Sequence, residues 1–222
     1  DTTAPAASGA LASVSDTGVS GDNLTYLATP AISGTTEPGS AVSVLINGQT
    51  YTTTADPITG VWSVTAATLA DGSYTPVITV TDPAGNVATV NGTPFSVDTT
   101  PPATPTVAAL TSNVLQPTLS GSATLQTGDS LTVTVNGATY SVTPDAQGNW
   151  TLDLAKATPV SGTLAAFVDG QSYSVIATVT DAAGNSSSDT SSSELSINLS
   201  APSIVLPEAP NGINAAEVAS NN

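Results

Sequence analysis

Val44-Leu-Ile-Asn-Gly-Gln-Thr-Tyr51 is the stretch that decides the fold. Asn47-Gly48 separates two short runs of alternating apolar and polar residues. Asn-Gly in this setting predicts a type I′ β-hairpin, because both central residues need a positive φ. The pattern returns as Val133-Thr-Val-Asn-Gly-Ala-Thr-Tyr140. The chain therefore carries the same antiparallel β unit twice.

Other segments repeat at a similar interval. Asp1-Thr-Thr-Ala-Pro5 returns as Asp98-Thr-Thr-Pro-Pro102, and Asp82-Pro-Ala-Gly-Asn86 returns as Asp181-Ala-Ala-Gly-Asn185. A period of about 100 residues is the length of a whole domain. We therefore expect a first repeat at 1–97 and a second at 98–197. Residues 198–222 would start a further module or form a C-terminal tail, since Asn198-Leu-Ser-Ala-Pro202 echoes both openings.

Short strands dominate the rest of the pattern. Runs with a period of two residues, such as Ala41 to Ile46 and Tyr173 to Thr180, are bounded by Gly, Pro, Asp or Asn, and no stretch has a helical period. Six or seven such strands in about 100 residues are typical of an immunoglobulin-like β-sandwich. The predicted fold class is all-β, with tandem sandwich domains in an extended array.

Composition excludes several functions. The formal net charge is −16, from 17 acidic residues and a single base, Lys156. Nucleic acids and anionic membranes need basic surfaces, so we expect neither as a partner. The acidic excess either serves solubility alone or is relieved by bound cations, and hard divalent cations prefer oxygen ligands.

Catalysis finds little support in the sequence. The chain has no Cys and no His, which removes disulfides, thiolate metal sites and the usual general base. Lys156 lies in a loop-like region, whereas a Ser–Lys dyad requires a buried lysine. We therefore expect no enzyme activity.

Sandwich topology places acidic residues at the ends of the domains. The turns containing Asp82 and Asp181 should lie near Asp1 and Asp98, the first residues of their own repeats. With the strands of a sandwich lettered A to G in chain order, the A–B loop of the first repeat holds Asp16, Asp22 and Asn23, and its E–F loop holds Asp71. Both loops should meet Asp98 at the junction with the second repeat. The candidate metal ligands are Asp16, Asp22, Asn23, Asp71, Asp82, Asn86, Asp98, Asp181 and Asn185.

Calcium is the cation that this set favours. Ca²⁺ accepts six to eight oxygen ligands in irregular geometry, whereas Mg²⁺ demands a near-ideal octahedron. The alternative for Asp-x-Ala-Gly-Asn is a plain hairpin turn, in which Asp and Asn cap backbone amides and Gly supplies a positive φ. The turn alone leaves the neighbouring Asp at the start of each repeat unexplained.

The aromatic residues favour a structural role. Trp62 and Trp150 occupy matching strand positions, as do Tyr74 and Tyr173, and such inward-facing pairs belong to cores more often than to sugar platforms. Tyr26 has no counterpart, but one tyrosine is a weak indication of glycan binding.

Taken together, these segments resemble the bacterial Ig-like repeats in the extender regions of giant RTX-type adhesins. The resemblance is carried by Asp-Thr-Thr-Ala-Pro, Gly-Thr-Thr-Glu-Pro-Gly39, Gly-x-Trp, Leu-Ala-Asp-Gly-Ser-Tyr74 and the Asp-Thr-Gly…Gly-Asp-Asn23 insert. It implies display on the cell surface, export by type I secretion and Ca²⁺ between domains. Calcium ligands would then map onto Asp98 with Asp16, Asp22, Asp71, Asp82 and Asp181.

The second repeat departs from this pattern. It lacks the Asp-rich A–B insert, and Asn198 stands where a linker Asp is expected, so calcium at its C-terminal end is in question.

The resulting hypothesis is mechanical. We expect a rod segment, rigidified by Ca²⁺, that projects a distal binding domain for attachment or biofilm formation. The alternative is a glycan- or protein-binding module that acts through loops or an exposed strand edge. The chain should be monomeric and extracellular, with neighbouring repeats of the same chain as partners; the sequence does not name the distal receptor.

Overall fold

The computed structural model describes residues 1–200 and consists of β-strands joined by turns. Residues 201–222, which hold most of the expected third segment, lie outside the described part. No helix in residues 1–200 is long and apolar enough to cross a membrane.

The first repeat contains ten strands. They are β1 (Ala10–Leu11), β2 (Leu24–Thr25), β3 (Ala31–Thr35), β4 (Ala41–Ile46), β5 (Gln49–Thr54), β6 (Val61–Thr65), β7 (Gly72–Tyr74), β8 (Val77–Thr81), β9 (Val87–Asn91) and β10 (Phe95–Val97). One sheet has the order β1-β3-β6 and the other β5-β4-β8-β9, while β2-β10-β7 form a small third sheet. The two main sheets form the predicted sandwich.

The second repeat contains eleven strands. They are β11 (Thr106–Val107), β12 (Leu110–Ser112), β13 (Thr118–Ser122), β14 (Ser130–Val135), β15 (Ala138–Val142), β16 (Asn149–Asp153), β17 (Ser161–Gly162), β18 (Ser172–Tyr173), β19 (Val175–Thr180), β20 (Ser186–Ser188) and β21 (Leu195–Ile197). Its sheets are β11-β13-β16, β17-β15-β14-β19-β20 and β12-β21-β18. The topology is that of the first repeat, with β17 added at one edge.

The Asn-Gly hairpins adopt the predicted turn. Asn47 and Gly48 have φ values of 48° and 77°, and Asn136 and Gly137 have 43° and 89°. Each hairpin joins its strands through a two-residue loop, with Ile46 opposite Gln49 and Val135 opposite Ala138. This register directs alternate residues of β4 and β14 into the core.

Each repeat has its own hydrophobic core. Ile32, Val44, Trp62 and Ile78 are among the buried residues of the first core, and a separate cluster around Trp150 forms the second. Trp62 and Trp150 are 2% and 1% exposed, which confirms their predicted core role. Two independent cores leave the contacts between the repeats to loops and turns.

Candidate metal centre and domain junction

Three carboxylates meet at the N-terminal end of the first repeat. Asp1, Glu37 and Asp82 each offer an oxygen within 4.8 Å of the others. Asp82 is buried, at 5% exposure, and the other two are exposed. Among residues 1–200, no other group of three acidic side chains comes this close together.

The turn between β8 and β9, which is the F–G turn of the sandwich, positions Asp82 in this cluster. Its carboxylate accepts hydrogen bonds from the Asn86 amide N–H at 2.8 Å and from Asn86 Nδ2 at 2.7 Å. The same Nδ2 donates to the backbone oxygen of Asp1 at 3.3 Å. The side-chain bond from Asn86 holds the pKa of Asp82 below its usual value. Asp82 is therefore charged at neutral pH and faces two further carboxylates, a donor set suited to a hard cation.

The second repeat builds the same turn at the junction between the domains. Asp181 Oδ1 accepts hydrogen bonds from the amides of Gly184 and Asn185, both at 2.8 Å. Asn185 Nδ2 donates to Asp181 Oδ2 at 2.9 Å and to the backbone oxygen of Asp98 at 2.8 Å. The structure thus brings Asp98, Asp181 and Asn185 together, as the topology predicts.

The acidic residues around this second turn are not the same set as in the first cluster. Gln126 precedes Val133 by the same interval at which Glu37 precedes Val44, so an amide stands in place of the third carboxylate. Asp129 lies nearby, and its Oδ2 accepts a hydrogen bond from the Gln126 amide at 2.7 Å. Asp98, Asp129 and Asp181 line one open depression of about 410 Å³.

The A–B insert of the first repeat contacts the second repeat directly. The Thr17 hydroxyl donates to the Ala183 backbone oxygen at 2.6 Å, and the Val19 amide donates to the Ala182 oxygen at 3.2 Å. Gly18 approaches so closely that a Cβ there would overlap the Ala182 oxygen. The insert therefore fits against the F–G turn of the next domain.

Asp71 holds the linker that joins the repeats. Its Oδ1 accepts hydrogen bonds from the Thr99 amide at 2.8 Å and from the Thr99 hydroxyl at 2.7 Å, and its Oδ2 accepts one from the Thr100 hydroxyl at 2.7 Å. The Thr100 bond, followed by those from Thr99, lowers the pKa of Asp71.

The remaining predicted ligands stabilise their own loop. Asp16 accepts hydrogen bonds from the amides of Gly21 and Asn23, and Asp22 Oδ1 accepts one from the Leu24 amide at 2.9 Å. Asn23 has a positive φ of 61° and accepts a bond from the Ser96 amide through its backbone oxygen. Asp16, Asp22 and Asp71 do not line the depression that contains Asp98 and Asp181.

Three acidic residues in these regions were missed by the sequence reasoning. Glu37 and Asp129 precede β4 and β14, in B–C turns that the same topology places beside the F–G turns. Asp169 Oδ1 accepts a hydrogen bond from the Leu199 amide at 2.8 Å, the counterpart of the bond that the Thr99 amide donates to Asp71. The alignment of Asp71-Gly-Ser-Tyr74 with Asp169-Gly-Gln-Ser-Tyr173 could have revealed it.

Several solved structures are similar to the chain. A Ca²⁺-stabilised, ice-binding adhesin of an Antarctic bacterium is 30% identical, with 89% of this chain and 50% of that chain covered and a TM-score of 0.45. A 1.5-MDa bacterial ice-binding adhesin is 24% identical, with 90% and 67% covered and a TM-score of 0.44. Fibronectin(III)-like modules of Clostridium thermocellum CbhA are 16% identical, with 79% and 87% covered and a TM-score of 0.50. The last of these supports the fold.

The chain spans half the length of the first of these structures. No curated protein sequence matches it. The sequence model of the bacterial Ig-like domain family matches this chain twice, at residues 2–99 and 108–198. With the two sandwiches and their separate cores, this match shows that the chain belongs to the bacterial Ig-like domain family.

Proposed function

We propose that the chain is an extender segment of a bacterial cell-surface adhesin, exported by type I secretion. It would act as a rod, stiffened by Ca²⁺ at its domain ends, that projects a distal binding domain for attachment or biofilm formation. The role is structural and requires no catalytic group. The observation that carries it is the junction, where one turn of the second repeat bonds both to the linker and to the first repeat.

This junction restrains the angle between the domains from two sides. Asn185 binds the linker at the Asp98 backbone oxygen, while Ala182 and Ala183 accept hydrogen bonds from the insert. Asp71 fixes the next two linker residues. A linker without such bonds would leave the domains free to reorient, which is the default for domains that share a small interface.

Electrostatics support calcium as the stiffening ion. The only base in the chain, Lys156, forms an ion pair with Asp153 at 2.8 Å and compensates neither acidic cluster. Close carboxylates without a basic partner repel each other, and a divalent cation removes that repulsion. We propose that Asp1, Glu37 and Asp82 hold one ion, and that Asp98, Asp129 and Asp181 contribute to a second, with Asn86 and Asn185 orienting the turns.

The other candidate ligands remain predictions. Asp16 already accepts two hydrogen bonds from backbone amides, Asp22 accepts one, and Asp71 accepts three from a backbone amide and two hydroxyls. They would coordinate calcium only through lone pairs not used in these bonds, or by exchanging some of them. Asn23 lies in the same loop as Asp16 and Asp22, and its role as a calcium ligand also stays a prediction.

Small-angle X-ray scattering and thermal melts test the proposal. With Ca²⁺ we expect a single elongated shape and a higher melting temperature, because an ion that binds only the native state stabilises it by linkage. With chelator, the scattering curve should indicate a distribution of interdomain angles. Identical curves and melting temperatures in both conditions would exclude the calcium-stiffened rod.

A further inference from the structure

One edge strand of the first repeat is open. β5 pairs with β4 along its inner side, and within residues 1–200 no strand pairs with its outer side. Four of its six residues are exposed, and Tyr51 and Thr53 are half-buried. An edge of this kind presents a row of free N–H and C=O groups.

The matching edge of the second repeat is covered. β17 pairs with β15, with Gly162 opposite Ala138 and Ser161 opposite Thr139. The Val160 amide donates to the Thr139 oxygen at 2.8 Å, and the Thr163 amide donates to the Gly137 oxygen at 3.2 Å. The longer E–F loop of this repeat therefore supplies its own edge strand.

The glycines of the two hairpins show the difference locally. A Cβ placed on Gly137 would meet the Thr163 oxygen at 3.1 Å, whereas a Cβ on Gly48 would meet nothing within 4 Å. The matched tyrosine Tyr140 is 1% exposed, while Tyr51 is only half-buried. The second repeat thus demonstrates that an extended segment fits against this edge of the domain.

The hairpin register identifies the free groups. Ile46 and Gln49 flank the two-residue loop and form a hydrogen-bonded pair, so the backbone groups of every second residue of β5 point outward. These residues are Thr50, Thr52 and Thr54. Thr139, the counterpart of Thr50, uses its outward oxygen in this way to accept the amide of Val160, the residue just before β17.

β5 lacks the features that usually protect an edge. Gln49-Thr-Tyr-Thr-Thr-Thr54 contains no charge and no proline, and its pairing with β4 is continuous, without a bulge. Natural edges are commonly protected by lysines, prolines, bulges or a covering loop. In a chain with a net charge of −16, this uncharged row is a surface where a second copy can approach.

We propose that β5 is a self-association site, at which the strand pairs antiparallel with β5 of a second copy across a two-fold axis through Thr52. Thr52 then faces Thr52 of the second copy, and Thr50 faces its Thr54. Each of these pairs exchanges two backbone hydrogen bonds, because all three threonines direct their N–H and C=O outward. Such an interface is isologous and closes at a dimer.

Charge makes this pairing conditional. Asp56, the acidic residue nearest to β5 in sequence, would lie opposite Gly48 and already accepts hydrogen bonds from its own turn. The general repulsion between two copies should still oppose association at low ionic strength and fade as salt shortens the Debye length to a few ångströms. The inference goes beyond the extender role and does not depend on bound calcium.

Cysteine cross-linking tests the contact, since the natural chain has no cysteine. In the proposed pair the Cα atoms of Thr52 lie about 5.5 Å apart, within the range that a disulfide spans. In chelator and high salt, oxidised T52C should form dimers about tenfold faster than S141C, because that matched position lies beside the covered edge. Equal rates for the two variants would overturn the proposal.

Register gives an independent criterion. A mixture of T50C and T54C should cross-link faster than either variant alone. In the proposed register Thr50 faces Thr54 of the second copy, whereas two copies of the same residue, Thr50 or Thr54, would be about 14 Å apart.

In sedimentation velocity, T52P should lose the concentration-dependent dimer of the wild type, since proline removes an outward N–H that β4 does not use. The proposal would also be contradicted if folded T52P still formed dimers. The same holds if T50C alone or T54C alone cross-linked as fast as their mixture. Because these measurements use chelator, they can fail or succeed independently of the calcium-stiffened rod.

Discussion

The Thr17 hydroxyl of the first repeat donates a 2.6 Å hydrogen bond to the Ala183 backbone oxygen of the second. The donor belongs to an insert that the second repeat lacks, and the acceptor belongs to a turn that both repeats contain. Gly18, next in the chain, leaves no space for a side chain beneath Ala182. Close fit and hydrogen bonding therefore act together at this junction.

Gly18→Ala should open the junction. A Cβ at this position would overlap the Ala182 oxygen, and the backbone has a φ of +66°. Gly21→Ala is the matched control, since Gly21 also has a positive φ, of +91°, but nothing lies within 4 Å of its Cβ position. Both variants should lose stability through backbone strain, but only G18A should broaden the interdomain distribution in X-ray scattering. Equal scattering curves for the two variants would show that the contact does not restrain the domains.

Asn185→Ala should loosen the linker more than Asn86→Ala does. Asn185 Nδ2 binds the Asp98 oxygen, in the linker between the two repeats, at 2.8 Å, whereas Asn86 Nδ2 binds the Asp1 oxygen, away from that linker, at 3.3 Å. A lost hydrogen bond of this kind costs about 1 kcal/mol, and somewhat more when the acceptor is charged, as at Asp181. Residual dipolar couplings of the two domains would report the difference. Similar interdomain order in both variants would argue against Asn185 as the connecting residue.

Glu37 and Gln126 should determine the affinities of the two acidic clusters for calcium. Glu37→Gln removes one of three carboxylates from the first cluster, and Gln126→Glu adds one beside Asp98 and Asp181. We expect calorimetry to show weaker calcium binding at the first cluster in E37Q and stronger binding at the second in Q126E, by about tenfold each, since affinity for Ca²⁺ depends on the number of charged ligands. Tighter calcium binding by E37Q, weaker binding by Q126E, or no change in either variant would show that these clusters do not bind calcium.

Glu194 should stabilise the second repeat through Val175. Its buried Oε2 accepts the Val175 amide N–H at 2.8 Å. In the first repeat, Pro76 and Pro94 occupy the matched positions, so neither the donor nor the carboxylate exists there. Glu194→Ala should cost about 1–3 kcal/mol of unfolding free energy, because it leaves a buried N–H unpaired. The same substitution in a Val175→Pro background should cost much less, and a double-mutant cycle by denaturant unfolding measures this coupling.

Acid should release the linker from Asp71. Hydrogen bonds from Thr100 and Thr99 lower the pKa of this carboxyl in the folded state. A depressed pKa contributes stability that is present above the unfolded value of 3.8 and is lost as the pH falls through the folded value. D71N should therefore flatten the decline of the melting temperature below about pH 4. Thr100→Ala should raise the pKa of Asp71 in a carboxyl NMR titration, and an unchanged value would contradict this account.

Local rules in the sequence predicted most of the fold. The Asn-Gly hairpins follow from the conformational needs of two residues, and the core tryptophans follow from alternation along one strand. The approach of Asp82 to Asp1, and of Asp181 to Asp98, required only the order of strands in a sandwich. These features depend on short-range chemistry and a known topology.

The missed features depend on tertiary contacts. Glu37 joins the first cluster because the B–C and F–G turns lie side by side, which no single segment reveals. Asp16 and Asp22 are predicted as ligands from their place at the junction and from the family resemblance, and in the structure they cap amides of their own loop. Local hydrogen bonding of this kind competes with a metal role, which stays a prediction for both residues. β17 lies between β16 and β18, in a loop that is longer than its counterpart between β6 and β7, and its pairing with β15 is a tertiary contact.

The small third sheet of each repeat has a mechanical consequence. β2 runs parallel to β10, with Leu24 opposite Ser96, and β12 runs parallel to β21, with Leu110 opposite Leu195. β2 and β12 are the second strands of their repeats, and β10 and β21 are the last. When tension applied through the two ends of a domain reaches such a pair, it pulls the two strands in opposite directions along their own axes. The hydrogen bonds between these parallel strands are then loaded in shear and must break together rather than one by one. An array of such domains can carry force along its length without each domain unzipping from its ends.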